Sequence, residues 1–254
     1  MSHFTLGVIV NHPDDIGRVV DKYITGNENY FERLPYCSRE LYINNFRQFG
    51  NNIETLTDEE IWQTAIKKYG QENVDDNTIY YYTNPNGKLD YYSIGGRWAN
   101  SLKIKSSVDD YIGLNIAKDK DRKIKYKLVN GARIKDIQWK KMSLPKKQEV
   151  LDKTDFWKHY VELRDKTRND YYSPDYYLSK YGSLENYLAK SSLYLTHALL
   201  DGIEDEWYEM GDVGFFGTEN TTQDSLEDYS RIFYDLIERE DNQDRYFVLL
   251  DCHI

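Results

Sequence analysis

Residues 245–254 read RYFVLLDCHI, an apolar run that ends in an acid, a thiol and an imidazole. Residues 4–10 read FTLGVIV, a second apolar run. Such runs are typical of strands that are buried on both faces. A helical pattern follows the first run from Pro13, and another precedes the last run from Asp224 or Ser225. Strand–helix at one end and helix–strand at the other predict that both terminal strands lie in one sheet.

The fold class expected from this arrangement is α+β. We predict an antiparallel or mixed sheet that contains both terminal strands and is packed by helices, and a ferredoxin-like arrangement is one version of it. The 254 residues are enough for a single domain over residues 1–254. Residues 103–190 are rich in lysine and tyrosine. We expect them to form a large central insertion within that domain.

Two local patterns lie between the ends. The sequence TDEE places Thr57 and Glu60 at capping-box spacing, which predicts a helix that ends before Gly70. Residues 78–98 read TIYYYTNPNGKLDYYSIGGRW, with strand patterns on both sides of the turn residues 84–87.

The charge of the chain is unevenly distributed. The chain has 33 Lys and Arg against 43 Asp and Glu, a formal net charge of −10. Residues 103–168 contain 19 basic and 10 acidic residues, whereas residues 201–254 contain three basic and 16 acidic ones. The acidic total argues against a general polyanion binder, so nucleic acid is not an expected partner. Lysines of residues 118–147 are typical of a solvated face, with a nucleic-acid contact as the alternative.

The composition also bears on the compartment. Cys37 and Cys252 are the two cysteines, too few for a disulfide framework or a Cys-rich zinc site, which favours a reducing cytosol. No apolar run approaches the roughly 20 residues that a membrane-spanning helix needs. We therefore expect a cytoplasmic protein without a membrane partner.

The first candidate binding segment is the block around a double glycine. Gly95 and Gly96 permit a positive φ or a close backbone approach, and Arg97 follows with a planar guanidinium. Beside Tyr92 and Trp98, this combination suits a phosphate or carboxylate with a ring stacked above it. The alternative is a glycine turn whose Arg97 pairs with an internal acid while Trp98 packs in the core.

A second candidate segment combines aromatic residues with three glycines at positions 211, 214 and 217. Trp207, Phe215 and Phe216 would form a ligand wall, because pockets are lined by such residues. The alternative is a loop that its aromatic side chains hold against the core.

The third candidate joins the two ends of the chain. If the terminal strands pair, His3 approaches His253, and with Asp251 or Cys252 they would make a metal site or an acid/base pair. No His-x-x-x-His or Cys-x-x-Cys spacing accompanies them. The alternative is that these histidines are satisfied at strand ends while Cys252 is a small buried residue.

An acidic segment offers a different kind of site. Residues 201–244 contain 15 acidic residues and two basic ones. Asp224, Glu227 and Asp228 would contact a basic protein surface or imitate nucleic acid. The alternative is the solvated side of an amphipathic helix.

Several motifs resemble a family of uncharacterised proteins found in bacteriophages and prophages of Gram-positive bacteria. They are Met1-Ser2-His3-Phe4, Asn84-Pro85-Asn86-Gly87-Lys88-Leu89-Asp90-Tyr91-Tyr92 with Gly95-Gly96-Arg97-Trp98, Trp207-Tyr208 with Gly211 and Gly214-Phe215-Phe216-Gly217, and Asp251-Cys252-His253-Ile254. Residues 103–190 are not covered. Leu89, Tyr91, Phe215 and Phe216 stand where the family has tryptophan, so a stacking surface would differ here. The resemblance implies a phage accessory protein and carries over no catalytic residues.

Three hypotheses follow. The first is a non-enzymatic phage protein in the host cytoplasm that counters host defence by binding a nucleotide-like ligand, without turnover and without a cofactor. Arg97 would hold a phosphate, and the aromatic residues of the first two segments would surround the base. The second is a protein-binding inhibitor of a host defence protein that uses the acidic segment. The third is a hydrolase or transferase that uses His3, Asp251 and His253.

Overall fold

The computed structural model describes residues 2–49, 56–113, 115–118, 124–143, 148, 152, 183, 193–211, 213–214, 217–218 and 223–254. The chain divides into two compact units. One comprises Met1–Val20 with Tyr91–Ile254, and the other comprises Asp21–Asp90. The expected single domain and its insertion over residues 103–190 stay predictions.

The first unit contains most of the strands. They are β1 (His3–Val10), β4 (Tyr91–Ile94), β5 (Leu102–Ile104), β6 (Tyr111–Ile112), β7 (Asn115–Lys118), β8 (Ile124–Val129), β9 (Gly131–Arg133), β10 (Ala198–Asp201), β11 (Glu206–Glu209), β12 (Val213–Gly214), β13 (Gly217–Thr218) and β14 (Tyr246–His253). Helices α1 (Ile16–Val20) and α4 (Gln223–Glu238) also belong to this unit. The second unit contains β2 (Glu32–Ser38), β3 (Thr78–Thr83), α2 (Arg39–Phe49) and α3 (Asp58–Tyr69).

A seven-stranded mixed sheet organises the first unit. Its order is β11-β10-β1-β14-β9-β6, and β4 also pairs with β14. Strands β1 and β14 are antiparallel over eight residue pairs, from His3 opposite His253 to Val10 opposite Tyr246. Strand β14 pairs on its other edge with β9 near its start and with β4 near its end. The predicted α+β fold, with both terminal strands in one sheet, is confirmed.

The ferredoxin-like version differs from this sheet. Such a sheet would place the first strand beside the second strand of the central hairpin and antiparallel to it. Here β1 lies beside β10, the first strand of the hairpin β10–β11, and runs parallel to it. A parallel pair needs a long crossover connection, which the residues between Val10 and Ala198 supply.

Helix α4 covers one face of the sheet. Its buried side chains recur at helical spacing, which is why this segment forms an amphipathic helix. They are Tyr229, Phe233, Leu236 and Ile237. They pack against Ile9, Leu199, Phe247 and Leu249 of the sheet in one core cluster. Because side chains alternate along a strand, Asp251 and His253 project from the same face as Phe247 and Leu249, beyond the apolar part.

The second unit has its own small core. Strands β2 and β3 form a two-stranded sheet, and Trp62, Ala65, Val74 and Ile79 pack together. The predicted capping box is confirmed, because Thr57 Oγ1 accepts from the Glu60 backbone N–H while Glu60 accepts from that of Thr57. The two strands predicted around residues 84–87 both form, but β3 pairs with β2 and β4 pairs with β14.

Candidate functional site

The double-glycine segment lies directly on the end of β14. Strand β4 pairs with β14 so that Tyr91 is opposite His253 and Ser93 is opposite Asp251. Gly95 and Gly96 then turn the chain with φ of +75° and +47°, which is a region that favours glycine. A Cβ on Gly96 would lie 2.3 Å from Asp251 Cβ. The absence of a side chain at Gly96 therefore allows the loop to contact Asp251.

Asp251 is the buried carboxylate at the centre of this site. Only 7% of Asp251 is exposed. Its Oδ2 accepts from the backbone N–H of Arg97 at 2.9 Å, and its Oδ1 lies 2.8 Å from His3 Nδ1. Burial of a carboxylate costs free energy unless hydrogen bonds compensate for it. Asp251 therefore connects the first and the third sequence candidates in one site.

The rings of His3, His253 and Tyr91 pack together between Asp251 and the solvent. The edge of the His3 ring meets His253, with ring centroids 5.1 Å apart and planes at 84°. The Tyr91 ring stacks on His253 with centroids 4.5 Å apart and planes at 13°. His253 is 5% exposed and Tyr91 is 56% exposed. The stacked Tyr91 thus presents a ring to solvent beside a packed pair of histidines.

Arg97 presents its charge outward. Its backbone is held by Asp251, but its side chain is exposed. Within the part of the chain that the structure describes, its guanidinium has no hydrogen-bond or ion-pair partner. Trp98 is half-buried. Among the described residues, the internal acid Asp251 thus binds the backbone of Arg97 and not its side chain.

The other aromatic candidates lie elsewhere. Tyr92 is opposite Cys252, so it projects from the face opposite to Tyr91. Trp207 is opposite Leu200, on the face that does not carry Asp251. Three strands separate β11 from β4, a distance of about 19 Å. The structure thus does not bring Trp207 together with Arg97. Phe215 and Phe216 lie outside the described residues.

Tyr91 is the residue of this surface that was absent from the predicted binding set. The sequence has two adjacent tyrosines at positions 91 and 92, and strand alternation places one on each face. The register with β14 decides which of them accompanies Asp251. Alternation shows that Tyr91 and Tyr92 lie on opposite faces of the sheet. It does not show which of them lies on the face of Asp251.

The metal interpretation of the third candidate has no support in this geometry. His3, Asp251 and His253 come together, but the described residues contain no group of three His, Cys, Asp or Glu side chains that could hold a metal ion. The contacts among them include a hydrogen bond between His3 and Asp251 and ring packing between His3 and His253. Burial, and then the charge of Asp251, raise the pKa of the Cys252 thiol, so it is not disposed to form a thiolate.

The acidic candidates lie on the outer side of α4. Asp224, Glu227 and Asp228 are all exposed, whereas Tyr229 is buried in the core. Asp228 accepts a hydrogen bond from Arg231 at 3.1 Å. These positions form the polar side of an amphipathic helix, where they are accessible to a partner.

Comparisons with known proteins do not assign a function, so the proposal below rests on this geometry. No family model, curated protein or solved structure matches the chain. Among the described residues, no helix is long and apolar enough to cross a membrane. The fold and the site define an α+β protein in which the buried Asp251 contacts both His3 and the backbone of an exposed arginine.

Proposed function

We propose that the protein binds a small anionic ligand with an aromatic ring, of the nucleotide type, on the surface formed by Tyr91, Gly96 and Arg97 (the Arg97 surface). One observation carries the proposal: the exposed Arg97 guanidinium has no partner among the described residues, while its backbone is fixed on Asp251. A guanidinium offers a planar fork of donors that matches the oxygens of a phosphate.

The loop geometry supports binding by reducing its entropic cost. Gly95 donates its backbone N–H to Leu249 O at 2.8 Å, and Trp98 donates to Gly95 O at 2.8 Å. With the Asp251 contact, these bonds fix the backbone on both sides of Arg97. A preorganised site loses less conformational entropy when the ligand arrives.

Tyr91 supplies the second element of recognition. Its ring is exposed and supported by the stacked ring of His253. Every nucleobase has a face that stacks on an aromatic side chain, a contact worth about 1–3 kcal/mol per base. A site that binds a phosphate through Arg97 and a base through Tyr91 favours a nucleotide over a ligand that has only one of these groups.

The biological setting is a further part of the proposal. The protein would act in the cytoplasm of a bacterial host as a phage accessory protein, and would counter host defence by capturing a nucleotide-derived signal. The motifs that resemble the phage family support this setting. His3, Arg97 and Asp251, from three of these motifs, meet at one site.

Calorimetric titration with a panel of nucleotides tests the proposal. We expect saturable binding by the wild type and at least about tenfold weaker binding by Arg97→Ala, because a charged hydrogen bond is worth about 1.5–3 kcal/mol. Arg231→Ala on α4 is the matched control, since it removes an exposed arginine outside this surface. Absence of binding by the wild type, or equal losses in both variants, would contradict the proposal.

A second candidate function uses the acidic side of α4. Its support is the exposure of Asp224, Glu227 and Asp228 on one helix. A basic surface of a host defence protein would be the partner. The combined variant Asp224→Asn, Glu227→Gln, Asp228→Asn should then lose a partner that the wild type retains in host lysate, whereas Arg97→Ala should keep it. Equal capture by all three proteins would contradict this function.

A further inference from the structure

We infer that His3 and Asp251 form a general-base pair that hydrolyses a phosphate ester of the ligand held on the Arg97 surface. The inference rests on the proposed function and goes beyond capture. Asp251 is 7% exposed, and its Oδ1 lies 2.8 Å from His3 Nδ1. A buried carboxylate in this position orients an imidazole and stabilises the imidazolium that forms when the ring accepts a proton.

The hydrogen bond assigns the tautomer of His3. An ionised carboxylate only accepts, so Nδ1 carries the hydrogen, and in the neutral form of the ring Nε2 keeps a lone pair. The Nε2 atom has no hydrogen-bond partner among the described residues. The His3 side chain keeps 16% of its surface exposed. A water molecule therefore has access to a basic nitrogen whose ring is held in place.

Packing fixes the orientation of the base. The His3 ring packs at 84° against His253, which Tyr91 covers by stacking. The pairing of His3 with His253 across β1 and β14 holds the backbone. Effective general-base catalysis requires such fixed geometry, because small displacements of the reacting groups reduce the rate.

Asp251 also links the base to the anion site. Its Oδ2 accepts from the Arg97 backbone N–H at 2.9 Å, so one carboxylate holds both the imidazole and the loop of the guanidinium. Charge that develops on the phosphoryl oxygens in the transition state is stabilised by a fixed cation. Arg97 would provide the positive charge, beside the water molecule that His3 activates.

The reaction needs no reactant other than water and the phosphate ester. The water oxygen forms a bond to phosphorus while His3 Nε2 takes its proton. The bond between phosphorus and the leaving oxygen breaks, and the imidazolium returns the proton to that oxygen. The product phosphate has one ester bond fewer, and the leaving oxygen becomes a hydroxyl, which stays on the same molecule when the ester is cyclic. No oxidation state changes.

Phosphorus NMR on the full-length protein tests the inference with three probes, namely nucleoside 5′-monophosphates, cyclic mononucleotides and dinucleotides. We expect the wild type to convert at least one probe that it binds. His3→Asn keeps a donor near the Nδ1 position but lacks the distal nitrogen. Its kcat should fall about 100-fold or more, while its calorimetric Kd stays within about threefold of wild type.

The matched control is His12→Asn. His12 is exposed and caps a short helix through Nδ1, a role that asparagine can also fill. It should retain wild-type turnover. If His3→Asn does not fold by circular dichroism, His3→Gln replaces it.

The outcomes separate the two proposals. Binding without any conversion by the wild type overturns the general-base pair and leaves the proposed function standing. Conversion that persists in the folded His3 variant also overturns the pair. No binding and no conversion of any probe overturns both.

Discussion

The two halves of strand β14 are both buried, but they are built from opposite kinds of residue. Its first half includes Phe247 and Leu249, which pack with Phe233 of α4 in an apolar cluster. Its second half ends in Asp251, Cys252 and His253. Burying apolar area stabilises the fold directly, whereas burying a carboxylate costs free energy until hydrogen bonds compensate.

The difference separates a half of the strand that stabilises the fold from a half on which the proposed binding site is built. The apolar half requires only that apolar side chains of suitable size pack closely, so it stabilises the fold. The polar half holds Asp251 in two hydrogen bonds and carries an exposed arginine above it. The proposed binding site is built on this half because one buried carboxylate holds both an imidazole and the backbone of an exposed arginine.

The largest effect should come from the apolar half. Phe233→Ala removes a fully buried ring that contacts Phe247 and Trp139. We expect the free energy of unfolding to fall by about 3–5 kcal/mol, because the change leaves a cavity as well as losing apolar burial. Urea denaturation measures this fall. A loss below about 1 kcal/mol would show that α4 does not hold this half as described.

A smaller loss of stability, but a larger loss of binding, should come from the polar half. Gly96→Ala places a methyl group against Asp251 at positive φ, which costs about 2 kcal/mol and displaces the Arg97 loop. Thermal unfolding and nucleotide titration measure the two effects. Gly26→Ala is the control, because no heavy atom lies within 4 Å of its added Cβ. Unchanged ligand binding by a folded Gly96→Ala variant would contradict a fixed loop.

The smallest effect concerns the other end of β14, where a polar contact lies near the surface. Tyr246 donates a hydrogen bond to Asp110 at 2.6 Å, which lowers the pKa of that carboxyl. Because the folded-state pKa is depressed, this stabilisation is present above about pH 4 and disappears as the pH falls through the lower folded value. Asp110 is about half exposed, so Tyr246→Phe should cost less than about 1 kcal/mol at pH 7.

Denaturation of wild type and Tyr246→Phe at several pH values measures this contribution. The difference between them should stay constant from about pH 5 to pH 8 and shrink below about pH 4. A difference that grows in acid would contradict the assigned direction of the Asp110 pKa.

The sequence predicted the parts of this comparison that depend on local pattern. Residues 4–10 and 246–250 are apolar enough to be recognised as buried strands, and the spacing of Tyr229 and Phe233 predicts an amphipathic helix. Register is different, because a shift of one residue moves every side chain to the other face. The sequence proposed a grouping of His3, Asp251 and His253, but the hydrogen bond between Asp251 and His3, and the choice of Tyr91 over Tyr92, required the structure.

Contacts between residues that are remote in sequence also could not be predicted from local pattern. Strands β3 and β4 are adjacent in sequence, yet each pairs with a strand remote in the chain. The role of the Arg97 backbone likewise depends on Asp251, which lies 154 positions further along. The residue types of the double-glycine segment indicated a binding site for an anion. The hydrogen bond from the Arg97 backbone to Asp251, which fixes the loop, depends on the folded topology.

Nuclear magnetic resonance of protein labelled with ¹⁵N-arginine tests the central claim most directly. On addition of a bound nucleotide, the backbone and guanidinium signals of Arg97 should shift, while those of Arg231 on α4 should not. Shifts confined to Arg231 and Arg239, with Arg97 unchanged at saturation, would contradict a binding site on the Arg97 surface.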